Sequence, residues 1–106
     1  MEKIKLSIIW TDKALSDLNY IYLFIVPKSE VAAYKTILRI YDKVNALEKG
    51  FEKRGQRELL LAHCKEEYRY LLSGNYKIIY SLSEGVVYIN TIFDVRQNPE
   101  KLTNKK

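Results

Sequence analysis

Residues 68–102 hold three runs rich in β-branched and aromatic side chains, punctuated by two glycine-containing turns. The runs are Tyr68-Arg69-Tyr70-Leu71-Leu72, then Tyr76-Lys77-Ile78-Ile79-Tyr80, then Val86-Val87-Tyr88-Ile89-Asn90-Thr91-Ile92-Phe93. Separated by Ser73-Gly74-Asn75 and Ser83-Glu84-Gly85, they predict a three-stranded antiparallel meander. Arg69, Lys77 and Arg96 recur in or just past these strands, where a sheet buried on both faces would leave them desolvated. They therefore predict a cationic face suited to a phosphate or to an acidic partner.

Upstream of the meander the apolar period changes twice. Ile4, Leu6 and Ile8 alternate with Lys3, Lys5 and Ser7, which reads as one strand ending at Trp10. Thr11 is placed to cap a helix and Asp12 to sit in its first turn, where an acid complements the helix dipole. Leu15, Leu18, Ile21, Tyr22 and Ile25 follow at helical spacing, until Pro27 pushes the residue before it out of the α region. Ser29 opens a second helix with Ala33, Ile37, Ile40, Tyr41, Val44 and Leu47 as its stripe, and Gly50 stands where a left-handed C-cap belongs. So short a connection makes the two helices an antiparallel hairpin. The segment 51–67 is the least readable, with Lys53, Arg54 and Arg57 at its start and Glu66 and Glu67 at its end.

The order is strand, helix, helix, strand, strand, strand. It predicts an α+β domain, β-α-α-β-β-β, with the helical hairpin covering one face of a small sheet. At 106 residues the chain is expected to be a single domain spanning 1–106, and an apolar fraction of 47% supplies a core. Ile8, Leu15, Leu18, Ile37, Val44, Ile78, Val87, Ile89 and Phe93 are the expected core residues.

Composition removes several classes of function. Cys64 is the only cysteine, so no internal disulfide forms, as suits a reducing compartment. His63 beside it lacks a second ligand pair at zinc spacing, so no metal site is expected. No glycine-rich phosphate loop or dinucleotide fingerprint occurs, so no cofactor is expected. The N-terminal segment has too short an apolar core for a signal peptide, and no apolar run reaches the ~20 residues that span a bilayer. A cytoplasmic protein without membrane partners is the expectation. The net charge of +5 accords with an acidic protein or a nucleic acid as partner.

The chain also resembles a family. Ile9-Trp10-Thr11-Asp12-Lys13-Ala14-Leu15 looks like the first strand and helix of the RelE/ParE superfamily of type II toxin–antitoxin toxins. Tyr76-Lys77-Ile78-Ile79-Tyr80 is similar to its central strand, and Phe93-Asp94-Val95-Arg96-Gln97-Asn98-Pro99 to its last strand and basic exit. The resemblance covers nearly the whole chain and implies a growth-inhibiting toxin, neutralised by a small antitoxin that wraps it and masks its active surface.

Within the superfamily two branches diverge. RelE-like members cleave ribosome-bound messenger RNA without a metal, using Lys and Arg to stabilise charge on the phosphoryl oxygens and a C-terminal Tyr or His for proton transfer. ParE-like members keep the fold and poison DNA gyrase by binding. Arg69, Lys77 and Arg96 match basic positions of the nuclease pattern and are the candidate catalytic residues. Leu71 stands at its second basic position and Leu102 at the place of the tail acid/base. Three basic anchors without a general acid/base favour the ParE-like reading. The ribosome-dependent endoribonuclease and a non-toxic interaction module are the alternatives.

A shared site requires Arg69 and Lys77 on one face of the meander. A two-residue Gly74-Asn75 turn pairs Ser73 with Tyr76 and sets Lys77 on the face opposite Arg69. A bulge or a longer loop shifts parity and unites them. The resemblance implies the second arrangement, and a bulge or longer loop is the expectation. More local readings exist for each residue: Arg69 and Lys77 as solvated sheet residues, Arg96 as a partner of Asp94, and the nine tyrosines as sheet packing.

Overall fold

A computed structural model describes residues 7–48, 56–57 and 67–96. Strand β1 (Ser7–Trp10) leads into helix α1 (Asp12–Ile25), then helix α2 (Glu30–Asn45) and a 3-10 turn at Ala46–Glu48. The remaining strands are β2 (Gln56–Arg57), β3 (Tyr68–Ser73), β4 (Tyr76–Ser83) and β5 (Val86–Asp94). The β-α-α-β-β-β order holds, with β2 as a short addition in the segment the sequence left unread. One five-stranded mixed sheet runs β1-β5-β4-β3-β2, in which β1 is parallel to β5 and every other pair is antiparallel.

The helix boundaries follow from side-chain chemistry. The Thr11 hydroxyl accepts a hydrogen bond from the Ala14 N–H at 3.1 Å and donates to the Ile89 carbonyl at 2.8 Å, so one residue starts α1 and fastens it to β5. Ser29 caps α2 by accepting from the Ala32 N–H at 3.0 Å, and its own N–H returns to the Ile25 carbonyl at 3.1 Å. Between the two caps lies Pro27, and α1 ends at Ile25; Val26, directly before the proline, keeps right-handed helical angles (φ −57, ψ −34), so the expected displacement from the α region does not occur. The proposed cap at Gly50 lies outside the described residues, as do Ile4 and Leu6 of the first strand.

Asp17 makes the second fastening. β1 ends opposite Ile89, and among the described residues no strand lies beside the outer edge of β5 beyond that point. The Asp17 carboxylate accepts from the Ile92 N–H at 3.0 Å and from the Thr91 hydroxyl, and it pairs with Lys13 one turn earlier. The side chain of α1 thus supplies the acceptor that a neighbouring strand would have supplied.

The core lies between the hairpin and one sheet face. Ala14, Leu18 and Ile21 of α1 and Ile40 and Val44 of α2 pack with Leu47 on Ile78, Tyr80, Val87, Ile89 and Ile92. Leu18, Val44, Ile78, Val87, Ile89 and Phe93 are buried as expected, while Ile8 and Ile37 are half-buried at its margin. Leu15 departs from expectation: it is 45% exposed, and Ala14 takes the buried position one residue earlier. The interior arc of α1 is centred on Ala14, Leu18, Ile21 and Ile25, the i, i+4, i+7, i+11 series, and Leu15 falls on its flank.

Both hairpin turns have two residues. Gly74 has φ +59 and Asn75 does not share the left-handed conformation, the pattern of a type II′ turn. Glu84 and Gly85 both have positive φ, at 51 and 80, as a type I′ turn demands. The register irregularity lies in the other hairpin: Ile79 faces Thr91 and Tyr80 faces Ile89, so Asn90 is the extra residue of a bulge in β5. Its side-chain amide donates to the Ser81 hydroxyl at 3.0 Å and to the Tyr88 carbonyl at 3.2 Å.

Truncation separates the two neighbouring leucines of α1. Leu18→Ala is expected to lower unfolding free energy by about 2–5 kcal/mol, the usual cost of a large-to-small change in a core. Leu15→Ala is expected to stay within about 0.5 kcal/mol, as exposed substitutions do. Urea unfolding followed by circular dichroism measures both, and equal losses would reverse the assignment of the buried face.

Candidate functional site

Arg69 and Lys77 lie on opposite faces of the sheet. The β3–β4 ladder is regular from end to end, with Arg69 opposite Tyr80, Leu72 opposite Lys77 and Ser73 opposite Tyr76. Directly paired residues share a face, so Arg69 lies with Leu71, Ile78 and Tyr80 on the hairpin side. Lys77 lies with Tyr70, Ile79 and Phe93 on the far side, where Ile79 and Phe93 form a second buried cluster against Tyr68 and Tyr70. This corrects the expected bulge or longer loop between β3 and β4. Local turn chemistry decided the parity: the glycine needed at the first central position is present, and nothing in that hairpin absorbs an extra residue.

Each basic residue is engaged separately. An Arg69 Nη2 to Glu67 contact of 2.8 Å makes an ion pair at the start of β3. Lys77 Nζ sits 4.5 Å above the centroid of the Tyr70 ring, a cation–π contact across the strands. Arg96 grips Asp94 through two nitrogens, Nε to Oδ1 at 3.0 Å and Nη2 to Oδ2 at 2.8 Å, and its backbone N–H reaches Oδ1 at 2.9 Å. The local reading of Arg96 as a partner of Asp94 is what the structure contains. Along the strand, the Arg69–Tyr80 row and the Tyr76–Asp94 row are separated by about 13 Å at the usual rise per residue. The three basic residues therefore do not converge on one phosphate-sized point.

The exit of β5 is an electrostatic unit. Hydrogen bonding from the Arg96 guanidinium holds the Asp94 carboxyl below the usual carboxylate range, and the same contact raises the guanidinium further. Tyr76, which faces Asp94 across the ladder, is raised first by burial and then by the Asp94 charge, with Arg96 opposing. The Val95 N–H bonds to the Asn75 carbonyl at 2.8 Å, which ties this exit to the β3–β4 turn.

The hairpin presents a surface of another kind. On α2, Val31, Tyr34, Leu38 and Tyr41 are all exposed although the helix has already buried Ala33, Ile40 and Val44. Tyr20, Leu23 and Phe24 on the second half of α1 are exposed as well, with Lys28 Nζ 5.0 Å over the Phe24 ring. The signal was in the sequence. The apolar positions of α2 span a wider arc than one core-facing stripe needs.

Leu102, His63 and Cys64 lie outside the described residues. Among the described residues no cluster of three His, Cys, Asp or Glu side chains is placed to hold a metal ion. No helix there is long and apolar enough to cross a membrane.

A helical hairpin on one face of a small mixed sheet, with a basic but dispersed meander, defines a class that comparison with known proteins makes specific. The sequence matches the family described as the ParE toxin of type II toxin–antitoxin systems over residues 8–99. Among solved structures, a chain of the chromosomal ParDE system from P. aeruginosa superposes with a TM-score of 0.70. That match has 22% identity and covers 86% of this chain and 97% of the other, which establishes a shared fold. No curated protein sequence matches significantly. The chain belongs to the ParE toxin family, and an antitoxin is its implied partner.

The Asp94–Arg96 contact gives a pH dependence with a definite sign. A carboxyl whose folded pKa is depressed contributes stability that is present above its unfolded value and is lost as pH falls through the folded value. Asp94→Asn is therefore expected to lower stability modestly at neutral pH and to flatten the loss on the acid side, so that the two proteins converge below about pH 4. Thermal melting of both proteins across that range measures it, and parallel curves would remove Asp94 from the account.

Proposed function

We propose that this toxin acts by binding DNA gyrase in the cytoplasm and that it does not cut RNA. The observation that supports this reading is the dispersal of the basic set: Arg69 and Lys77 sit on opposite faces, and Arg96 is held by Asp94. Metal-independent cleavage needs several donors aimed at one phosphoryl group, because the developing charge is local. Inhibition by binding needs only a complementary surface, on which separated charges add steering and specificity. Membership of the ParE family agrees with this and not with the nuclease branch.

Arg69, Lys77 and Arg96 then act as contact residues. Arg96 is the best placed of the three, with a side chain 60% exposed and a geometry fixed by Asp94, so little entropy is lost when it meets an acidic or phosphate group. An antitoxin relieves the inhibition by occupying the toxin.

Expression without an antitoxin is expected to arrest growth, and the purified chain is expected to inhibit supercoiling by gyrase. Arg96→Ala should weaken inhibition by only a few-fold, more so at low salt, because exposed charge contacts are modest and screened. Primer extension on translated messenger RNA should show no discrete cuts. Discrete cleavage in translating ribosomes, lost on Arg96→Ala, would falsify the binding reading in favour of the endoribonuclease, and unimpaired growth would favour a non-toxic module.

A further inference from the structure

We infer that Asp94 is a positioning residue for target binding: it holds the Arg96 guanidinium so that the outer edge of the fork meets a carboxylate of the bound protein. The inference rests on the reading that this toxin acts by binding a protein target. One carboxylate takes three bonds from one residue. Oδ1 accepts from the Arg96 backbone N–H at 2.9 Å and from Nε at 3.0 Å, and Oδ2 accepts from Nη2 at 2.8 Å. The backbone bond closes an Asx turn at the end of β5, and the other two clamp the side edge of the guanidinium.

A guanidinium carries five N–H donors in a rigid plane. With Nε and one Nη2 donor committed to Asp94, both Nη1 donors and the second Nη2 donor remain. No hydrogen bond among the described residues engages them. Nη1 and Nη2 together form the end edge of the plane, where two N–H bonds run parallel. That spacing receives both oxygens of a carboxylate.

The clamp stands on a fixed base. The Asp94 side chain is 19% exposed and that of Arg96 60%, so the anion belongs to the sheet and the cation faces solvent. Tyr76 pairs with Asp94 across the ladder and packs against the main core. The Val95 N–H bonds to the Asn75 carbonyl at 2.8 Å, so the residue between the two ions is tied to the β3–β4 turn. An exposed ion pair adds little stability by itself. What this one supplies is orientation, since a long side chain is ordered before it meets a partner.

The charge balance selects the ligand. Asp94 offsets the Arg96 charge locally, and Lys77, next to Tyr76 in the chain, lies on the opposite face. The exit of β5 therefore attracts anions weakly at a distance and recognises them by geometry at contact. A phosphodiester is held chiefly through uncompensated positive charge, whereas one carboxylate in a protein interface is held through paired donors.

This role has a sign that plain attraction lacks. Asp94→Asn removes a negative charge beside Arg96, so a point-charge contact with an acidic group would tighten. The amide keeps an oxygen for the Asx turn but accepts from the guanidinium at only one position, so the clamp opens. A positioning role makes the same substitution weaken binding.

The full chain and its variants are titrated against purified gyrase, without DNA, by biolayer interferometry at a temperature far below their melting points. Asp94→Asn should weaken binding by about two- to fivefold, the range of an exposed charge contact. Arg96→Lys, which keeps the charge and loses the fork, should match Arg96→Ala. Asp94→Asn/Arg96→Ala should bind no more weakly than Arg96→Ala alone, because Asp94 acts only through Arg96. Nitrogen-15 relaxation at the Arg96 Nε should report an ordered side chain in the parent and a mobile one in Asp94→Asn. Equal or tighter binding of Asp94→Asn, full binding by Arg96→Lys, additive losses in the double variant, or equal Arg96 mobility in both chains would each overturn the inference. A pattern seen only with DNA present would assign the fork to a phosphodiester and overturn the carboxylate.

Failure of the functional reading has a different signature. If the unmodified chain arrests growth without binding gyrase, gyrase is not the target. The same variants are then compared, at matched expression, by the dose that arrests growth, and the same signs decide the role of Asp94. If the chain neither binds gyrase nor arrests growth, Arg96 has no contact to serve and the inference is overturned with the reading.

Discussion

The hydrogen bonds that α1 makes to β5 beyond the end of β1 hold the two layers in register. A parallel β1–β5 pair requires the chain to leave the sheet and return to it, and the point of departure is Thr11. Its hydroxyl and N–H both meet the Ile89 carbonyl, and Asp17 then meets Ile92 and Thr91 almost two turns further on. Two attachments on one helix fix both its position and its direction over the sheet. With α1 so fixed, the connection through Pro27 and Ser29 leaves α2 only one way to return. The face that α2 turns to solvent is therefore set by a pair of short polar side chains on another helix.

The same attachments explain why a carboxylate is retained near the core margin. Asp17 is mostly covered, and a desolvated charge is tolerated when donors surround it. Thr91, Ile92 and Lys13 provide them. The Asn90 bulge falls directly before these two β5 residues, so the strand is re-aimed where the helix side chain meets it. The edge of β5 beyond β1 thereby meets acceptors from a helix side chain.

Elements governed by local chemistry were legible in the sequence. Thr11 and Ser29 cap as read and the order of elements holds, because caps and apolar period act over a few residues; Pro27 does not displace Val26 from helical angles. Parity was harder. The Gly74-Asn75 turn pointed to the arrangement that is present, and the resemblance to a broader superfamily pointed the other way. Leu15 departs from its expected place because Ala14, though small, is as fully buried as any aliphatic, and size alone does not mark the interior arc of α1. β2 is two residues long, too short for any period to show. The apolar arc of α2 holds two stripes, and Tyr41, which the sequence places with the core series, lies with exposed Val31, Tyr34 and Leu38.

The two-residue turn at Gly74 also constrains how this protein can change over generations. Bringing Lys77 to the side of Arg69 would take a one-residue slip of the β3–β4 register, and Ile78 and Tyr80 would then part from the side of Leu71. Every β4 side chain would change sides relative to β3 at once, which a sheet with a buried face disfavours. Replacement at Leu71, which already shares the side of Arg69 and touches the core only from its margin, leaves the ladder intact. New chemistry on this scaffold is thus open to point substitution, while a slip of the β3–β4 pairing is resisted by every side chain it would turn over.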